Sequence, residues 1–325
     1  MSRLPCGMGQ ASAGRSGPAA EGKQVTNDPN LRVQIDHENR TMDIRQSAIQ
    51  TYLDCPRRFF WEYVEGLEPD YPARTRPWAT VDIGTAVHEA LGAWYDGTGR
   101  DPLVAWRAWA EETFDGEIPE GCDEDLIDIM VEGHLDDLAQ DGADVGETTI
   151  GVEVPVVGKV AGLAGPDGSP WAVNVHGRVD RLIETDDGLH IIDDWKTCGP
   201  LSGALNHIQQ LGRYAVMIRS ERGWRADRVR VTEIRKVKRT KGGPFYARNW
   251  LPLNEDAYAS HASHLRLSLE SILRDVAAGQ YTYNVTTECG WKCRAQDICL
   301  AQQHGDDVEM IVDLHYRPKG QEGMQ

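Results

Sequence analysis

The chain has 325 residues, of which 40% are hydrophobic, enough for one large domain or two smaller ones. No apolar run approaches the roughly 20 residues a bilayer-spanning helix needs. Residues 1–30 are rich in Gly, Ala, Ser and Pro and lack a signal-peptide core, so they read as a disordered tail, and the chain reads as cytoplasmic with no membrane partner and with reduced thiols. A net charge of −17, taken alone, argues against a polyanionic partner.

In chain order, Ser47 with Gln50 three residues later forms a capping-box pattern, followed by apolar and aromatic positions at Ile49, Leu53, Phe59, Phe60 and Tyr63. Cys55-Pro56 interrupts this run, which predicts two short helices or a kink. Ile83, Val87, Ala90, Leu91 and Trp94 follow helical spacing. Residues 102–141 predict one or two acidic helices, and no Lys or Arg occurs between Arg107 and Lys159. That acidic block reads as a solvated face. Strands begin at 150–158 and continue through 171–184 and 189–196. A helix is expected at 203–220, an alternating strand from Arg228 to Lys238, a long helix at 254–279, and a loop-like, cysteine-bearing end with a frayed tail at 317–325. The order of helix, strands, helix, strand and helix is that of an α/β domain with a helical insertion.

Residues 176–197, HGRVDRLIETDDGLHIIDDWKT, read as two strands joined at an Asp-Gly turn. Period two places Asp194 and Lys196 on one face, with Trp195 and Asp193 on the other and Asp180 on the neighbouring strand. Two carboxylates and an ammonium at one spot suit Mg²⁺ or Mn²⁺, with the Trp195 carbonyl as a further ligand and a water activated for attack on a phosphate. Lys196 would orient that water or neutralise developing charge. Asp193 is assigned to structure. By spacing alone His88 is a structural histidine, and Gly84 one turn before it leaves room for another element. Gln210 and Tyr214 share a helix face and either support the site or pack on the sheet.

Cys289, Cys293 and Cys299, spaced C-x₃-C-x₅-C, point to zinc or an iron–sulfur cluster. The fourth ligand is either His304, giving a Cys₃His zinc site, or a distant cysteine, of which Cys55 is the best placed. Residues 225–241 carry Arg225, Arg228, Arg230, Arg235, Lys236, Lys238, Arg239 and Lys241. With Arg57 and Arg58 on the early helix, this band is expected to guide a phosphate backbone. Phe245 and Tyr246 beside it could stack on bases, with core packing the leading use.

In order along residues 45–300 stand S-A-I-Q-T-Y-L-D-C-P-R-R-F, G-T-A-V-H-E-A-L, G-R-V-D, I-I-D-D-W-K-T and Q-L-G-R-Y-A, closed by the three-cysteine loop. The chain resembles the RecB-like branch of the PD-(D/E)XK nucleases, similar to CRISPR-associated and phage-encoded RecB-like exonucleases and to the AddB nuclease domain. The resemblance implies a restriction-endonuclease-like α/β core, a central mixed sheet flanked by helices, with a helical insertion at about 98–148. The core would span about 150–250 and a C-terminal helix and iron–sulfur loop about 254–304, within one domain at 31–316. It implies His88, Asp180 and Asp194 as metal ligands, Lys196 as the catalytic lysine, and Gln210, Tyr214, Arg57 and Arg58 on the substrate. Cys55, Cys289, Cys293 and Cys299 would hold a 4Fe–4S cluster, with zinc as the fallback because C-x₃-C replaces the family's C-x₂-C. Glu153 is the match for a strand glutamate found in some such sites. The implied activity is metal-dependent DNA exonuclease chemistry in recombination, repair, phage replication or CRISPR adaptation, beside a helicase, recombinase or adaptation protein. The rival is a non-catalytic DNA-binding or assembly module with a structural metal site. No Walker A pattern is present, so the chain carries no helicase motor of its own.

Overall fold

TMDIR alternates in burial and pairs with VQID in a hairpin, β1 (Val33–Asp36) against β2 (Thr41–Arg45). Asp36 holds its turn by accepting from the Asn39 backbone and side-chain amides at 2.9 and 2.7 Å. The computed structural model describes residues 33–70, 80–114, 116–118, 121–201, 207–238, 243–290 and 293–319. The expected tail at 1–30 lies outside them, as do Arg239 and Lys241 of the basic stretch.

Helix α1 (Gln46–Asp54) follows β2 directly. Ser47 falls inside its first turn, so the expected capping box does not form. Gln50 instead donates to Asp54 at 2.9 Å and accepts from Arg213 at 2.7 Å. Cys55 is extended, and Pro56 opens α2 (Pro56–Phe59), which runs into a π-helical turn at Phe60–Val64. The chain continues through β3 (Leu67–Pro69), α3 (Thr80–Tyr95), α4 (Pro102–Thr113) and α5 (Glu124–Asp141). Asp101 and Asp123 cap α4 and α5, so the acidic block is two helices.

Then come β4 (Glu147–Ala164), β5 (Pro170–Thr185), β6 (His190–Cys198), α6 (Ile208–Arg222), β7 (Arg228–Arg235), β8 (Tyr246–Pro252) and α7 (Glu255–Ala278). The end is formed by α8 (Gln296–His304), α9 (Val308–His315) and β9 (Tyr316–Pro318). Residues 317–319, expected to fray, instead join β9 to β3 antiparallel, and the Lys319 ammonium donates to the Glu62 carbonyl at 2.5 Å.

The central sheet has seven strands and is mixed: β2–β5 and β6–β7 are parallel, the other pairings antiparallel. One apolar cluster joins the sheet to α1, α6 and α7, and a second joins Trp195 and Ile234 to α3, α4 and α5. The central sheet is thus flanked by helices. Strand β5 pairs with β4 along one edge. On its other edge β2 leaves at His176, opposite Arg45, and β6 joins at Arg181, opposite Asp193. The opening between them spans Gly177 to Asp180.

Candidate active site

The divergence of β2 and β6 from β5 places Asp180 at the mouth of that opening. Its Oδ2 accepts the Trp195 backbone N–H at 2.7 Å, tying it to β6. Beyond that point Asp194 and Lys196 share a face, with the Lys196 ammonium 2.5 Å from Asp194 Oδ2 and 3.3 Å from the Trp195 carbonyl. The Trp195 ring points the other way, stacked on Tyr95 at 5.7 Å and edge-on to His88 at 5.6 Å. Asp193 lies on that second face, buried, bonded to Arg230 at 2.6 Å and Thr232 at 2.8 Å.

Helix α3 brings His88 over this strand. Gly84 makes the approach possible: a Cβ there would meet Thr197 Oγ1 at 3.4 Å. His88 Nε2 lies 2.9 Å from the Trp195 carbonyl, and Nδ1 lies 3.6 Å from Asp180 and 3.7 Å from Glu153. The ligand atoms of His88, Glu153 and Asp180 all fall within 4.8 Å of one another. Asp194 stands outside this tightest group, its Oδ1 accepting from Gln210 Nε2 at 3.2 Å. Gln210 also reaches the Tyr214 hydroxyl at 3.4 Å, so both residues of the α6 face border the site.

Glu153 enters from β4. Its neighbours Val152 and Val154 oppose Arg181 and Val179, so it sits across from Asp180. Its φ of 49° is left-handed, a conformation that a glutamate holds only under constraint. Arg178 contacts Glu153 Oε2 at 2.5 Å. In the sequence Glu153 is reached only through the resemblance, and Arg178 is not singled out. The signal was there: Arg178 lies two residues before Asp180, on the same strand face.

Crowding makes these groups hold protons. Burial drives Asp180 up to about 7 against the pull of His88, with Asp194 adding to the rise. His88 is raised by Asp180 and Glu153 despite its own burial, and Lys196 is raised by Asp194 and Asp180 in the same way. Burial, with Asp194 next, pushes Tyr214 up to about 12. A cation supplied to such a donor set would displace protons rather than find a neutral pocket.

Three members of the basic band are committed elsewhere. Arg230 is fully buried between Glu147 and Asp193, Arg225 is paired with Asp227 and Glu255, and Lys238 is paired with Asp123. Phe245 and Tyr246 are core residues, not stacking platforms. Arg58 pairs with Glu62 at 2.6 Å, and the Arg57 guanidinium lies over the Tyr283 ring at 4.8 Å. These two arginines flank the cysteines.

Cys55, Cys289, Cys293 and Cys299 are free and half-buried. Burial raises the Cys299 thiol, and Cys55 and Cys289 lie close enough to raise it further. Cys293 is likewise raised by burial, with Cys289 adding. Cys289 Sγ accepts from the Thr286 N–H at 3.4 Å and Cys299 Sγ from Gln303 Nε2 at 3.3 Å. The chain ends are already tied here: the Arg57 N–H donates to the Thr282 carbonyl at 3.0 Å, and Asn284 Nδ2 to the Asp54 carbonyl at 2.6 Å. His304, the alternative fourth ligand, is exposed and faces Asp306 at 4.0 Å.

No curated protein matches the chain. Among solved structures it is similar to SSO0001, at 15% identity over 82% of this chain and 89% of that one, with a TM-score of 0.35. It is also similar to a protein from Eubacterium rectale provisionally described as an exonuclease, at 12% identity over 79% and 92%, with a TM-score of 0.47. Residues 44–300 match the model of the PD-(D/E)XK nuclease superfamily.

Proposed function

This chain belongs to the PD-(D/E)XK nuclease superfamily, and from that premise we propose that it is a RecB-like, metal-dependent DNA exonuclease with a structural iron–sulfur cluster. The observation that carries the chemistry is the convergence of His88, Asp180, Asp194 and Lys196, from two strands and a helix, on one mouth in the sheet. His88, Asp180, Asp194 and the Trp195 carbonyl would hold Mg²⁺ or Mn²⁺, with Glu153 as an added carboxylate. When bound, such an ion acidifies water and neutralises charge at the phosphate. Asp194 positions Lys196, and Lys196 Nζ donates to the phosphate oxygens as charge builds on them. Gln210 fixes the second Asp194 oxygen.

Cys55, Cys289, Cys293 and Cys299 would hold the cluster. Cys55 and Cys289 lie close enough to Cys299 to raise its thiol, so thiols from both parts of the chain meet in one place. A brown protein absorbing near roughly 400 nm is expected, and a colourless protein with stoichiometric zinc would replace this half of the proposal.

The catalytic half is tested on end-labelled linear DNA with Mg²⁺ and then Mn²⁺. The wild type should shorten the strand progressively and Asp194→Ala should not. Intact DNA under both metals would leave the non-catalytic module as the better description.

A further inference from the structure

We propose that Arg178 is a phosphate-binding residue gated by the metal: without a cation its guanidinium rests on Glu153, and with one bound to Glu153 it turns to a phosphate of the DNA strand. This rests on the nuclease reading and deepens it by naming a group that grips substrate only when the site is loaded.

Arg178 stands between two places. Its Nε lies 2.5 Å from Glu153 Oε2, at the group that Glu153 forms with His88 and Asp180. The same side chain is 61% exposed and lines a cavity of about 650 Å³ with Gln210 and Tyr214, the pair that borders Asp194. Residues 177–180 lie in the opening between β2 and β6, so among the described residues no strand pairs with Arg178 on that edge. It shares a strand face with Asp180 at a separation of two residues, roughly 7 Å. A long side chain rooted there reaches a phosphate at or next to the one that is cut.

The hold on Glu153 is weak. The contact is close but is no directed hydrogen bond: Glu153 Oε2 is buried and has no hydrogen-bond partner among the described residues. An ion pair with one member mostly in solvent contributes little. Glu153 itself is held ready. Its φ of 49° is a strained conformation, and Val154 beside it folds back over Gly151, where a Cβ would meet Val154 Cγ2 at 2.6 Å. That kink aims the carboxylate at His88 and Asp180 and leaves Oε2 without a fixed donor.

Charge then decides where Arg178 goes. A dication and a guanidinium on one carboxylate repel each other across a few ångströms, and a half-buried site screens this less than bulk water does. The ion carries the larger charge and coordinates the oxygen directly, so the arginine is the partner displaced. Two anions are then open to it: Glu89, near enough for Arg178 to act on its carboxyl, and a phosphate in the cavity. A phosphate offers a guanidinium two oxygens at once. Cation and DNA thereby favour each other's binding through Arg178.

The test uses the full chain and removes the guanidinium by Arg178→Gln, at an exposed position where melting should hold. Free Mn²⁺ read by electron paramagnetic resonance, without DNA, should show the variant binding the ion about threefold more tightly, because the competing guanidinium is gone. Fluorescence anisotropy on a single-stranded oligonucleotide should show the opposite sign. In Ca²⁺ the variant should bind about tenfold more weakly than wild type, with a plot of log affinity against log salt shallower by about 0.7. In EDTA the two proteins should bind alike. Arg178→Lys keeps the charge and should restore the salt slope. A loss of equal size in Ca²⁺ and EDTA would make Arg178 an ungated contact, and no loss in Ca²⁺ would send the displaced arginine to Glu89. Either result overturns the proposal, as does an unchanged Mn²⁺ affinity, and cleavage by the wild type would keep the nuclease reading intact in each case. A wild type that neither binds nor cuts DNA would remove both.

Discussion

Asp193 and Asp194 are adjacent in sequence and should fail in opposite ways. Asp193 sits fully buried, bonded to Arg230 at 2.6 Å and to Thr232 at 2.8 Å, with Arg181 at 3.9 Å. Its carboxyl is held below the usual range by Arg230, against the effect of burial. Asp193→Asn keeps the volume but leaves two buried guanidiniums short of charge. Breaking such a pair costs about 3–5 kcal/mol. Glu147 still contacts Arg230 at 2.5 and 3.1 Å, so the lower end applies. At about 2 °C per kcal/mol for a chain this large, melting should fall by about 6 °C. Asp194→Asn removes one charge from a crowded carboxylate group, so its effect on melting should be smaller. Its activity should drop by about 10²–10⁴-fold, since it positions Lys196 and would ligate the ion. Thermal melts and rates on labelled linear DNA, normalised to folded protein, separate the two. An Asp193→Asn variant that melts like wild type but cannot cut, or an Asp194→Asn variant that unfolds while a folded fraction stays active, would refute the assignment of the two faces of β6.

Lys196→Ala should lower the cleavage rate per folded molecule by about 10²–10⁴-fold, checked by single-turnover kinetics, and should also lower melting, because it leaves the buried Asp194 carboxylate without its cation. Gly177→Ala would place a Cβ 2.6 Å from Tyr214 Cε1, and such overpacking should cost about 1–3 kcal/mol in urea unfolding and slow cleavage by displacing Tyr214. His134 is 1% exposed, and burial, with Arg248 next, lowers its pKa to about 4. Because the folded pKa lies below the unfolded one, its contribution is present above pH 6.5 and is lost as pH falls toward 4. About 3 kcal/mol should vanish across that window in wild type and not in His134→Gln, measured by urea unfolding at each pH. Cys289→Ala with Cys293→Ala should lower soluble yield and melting temperature together, because metal-site energy is folding energy.

Much of the site was legible because a strand has period two. The alternation of I-I-D-D-W-K-T alone separates Asp194 and Lys196 from Asp193 and Trp195, and the structure keeps that division. His88 was not legible from spacing, since a helix face does not say which strand it will cover. Only Gly84, small where α3 meets Thr197, hinted at the contact. The basic band misled for a related reason. Strand β7 pairs with β6 and β8 inside the sheet, so Arg230 was buried by topology, and sequence charge does not reveal topology. Hairpin β1–β2 and strand β8 went unread because their apolar residues are few and broken by charges. Their pairing is won by the long neighbours β5 and β7.

The place of α1 ties these parts together. Its first residue, Gln46, lies in the cavity that opens on the candidate active site, and its last, Asp54, precedes Cys55. Nine residues span about 13 Å, so one rigid rod runs from that cavity to the proposed cluster. Its N-terminal end is held by β2 on β5, and its C-terminal end by Asn284 on the Asp54 carbonyl, with Thr282 holding Arg57 just beyond. Pairing of β3 with β9 closes the same seam a second time. A cross-link joining Cys55 to Cys289 closes a loop of over two hundred residues, where chain entropy makes closure most effective. The proposed cluster would need no part in catalysis to matter for it: it would fix one end of the helix whose other end lines the cavity beside the candidate active site.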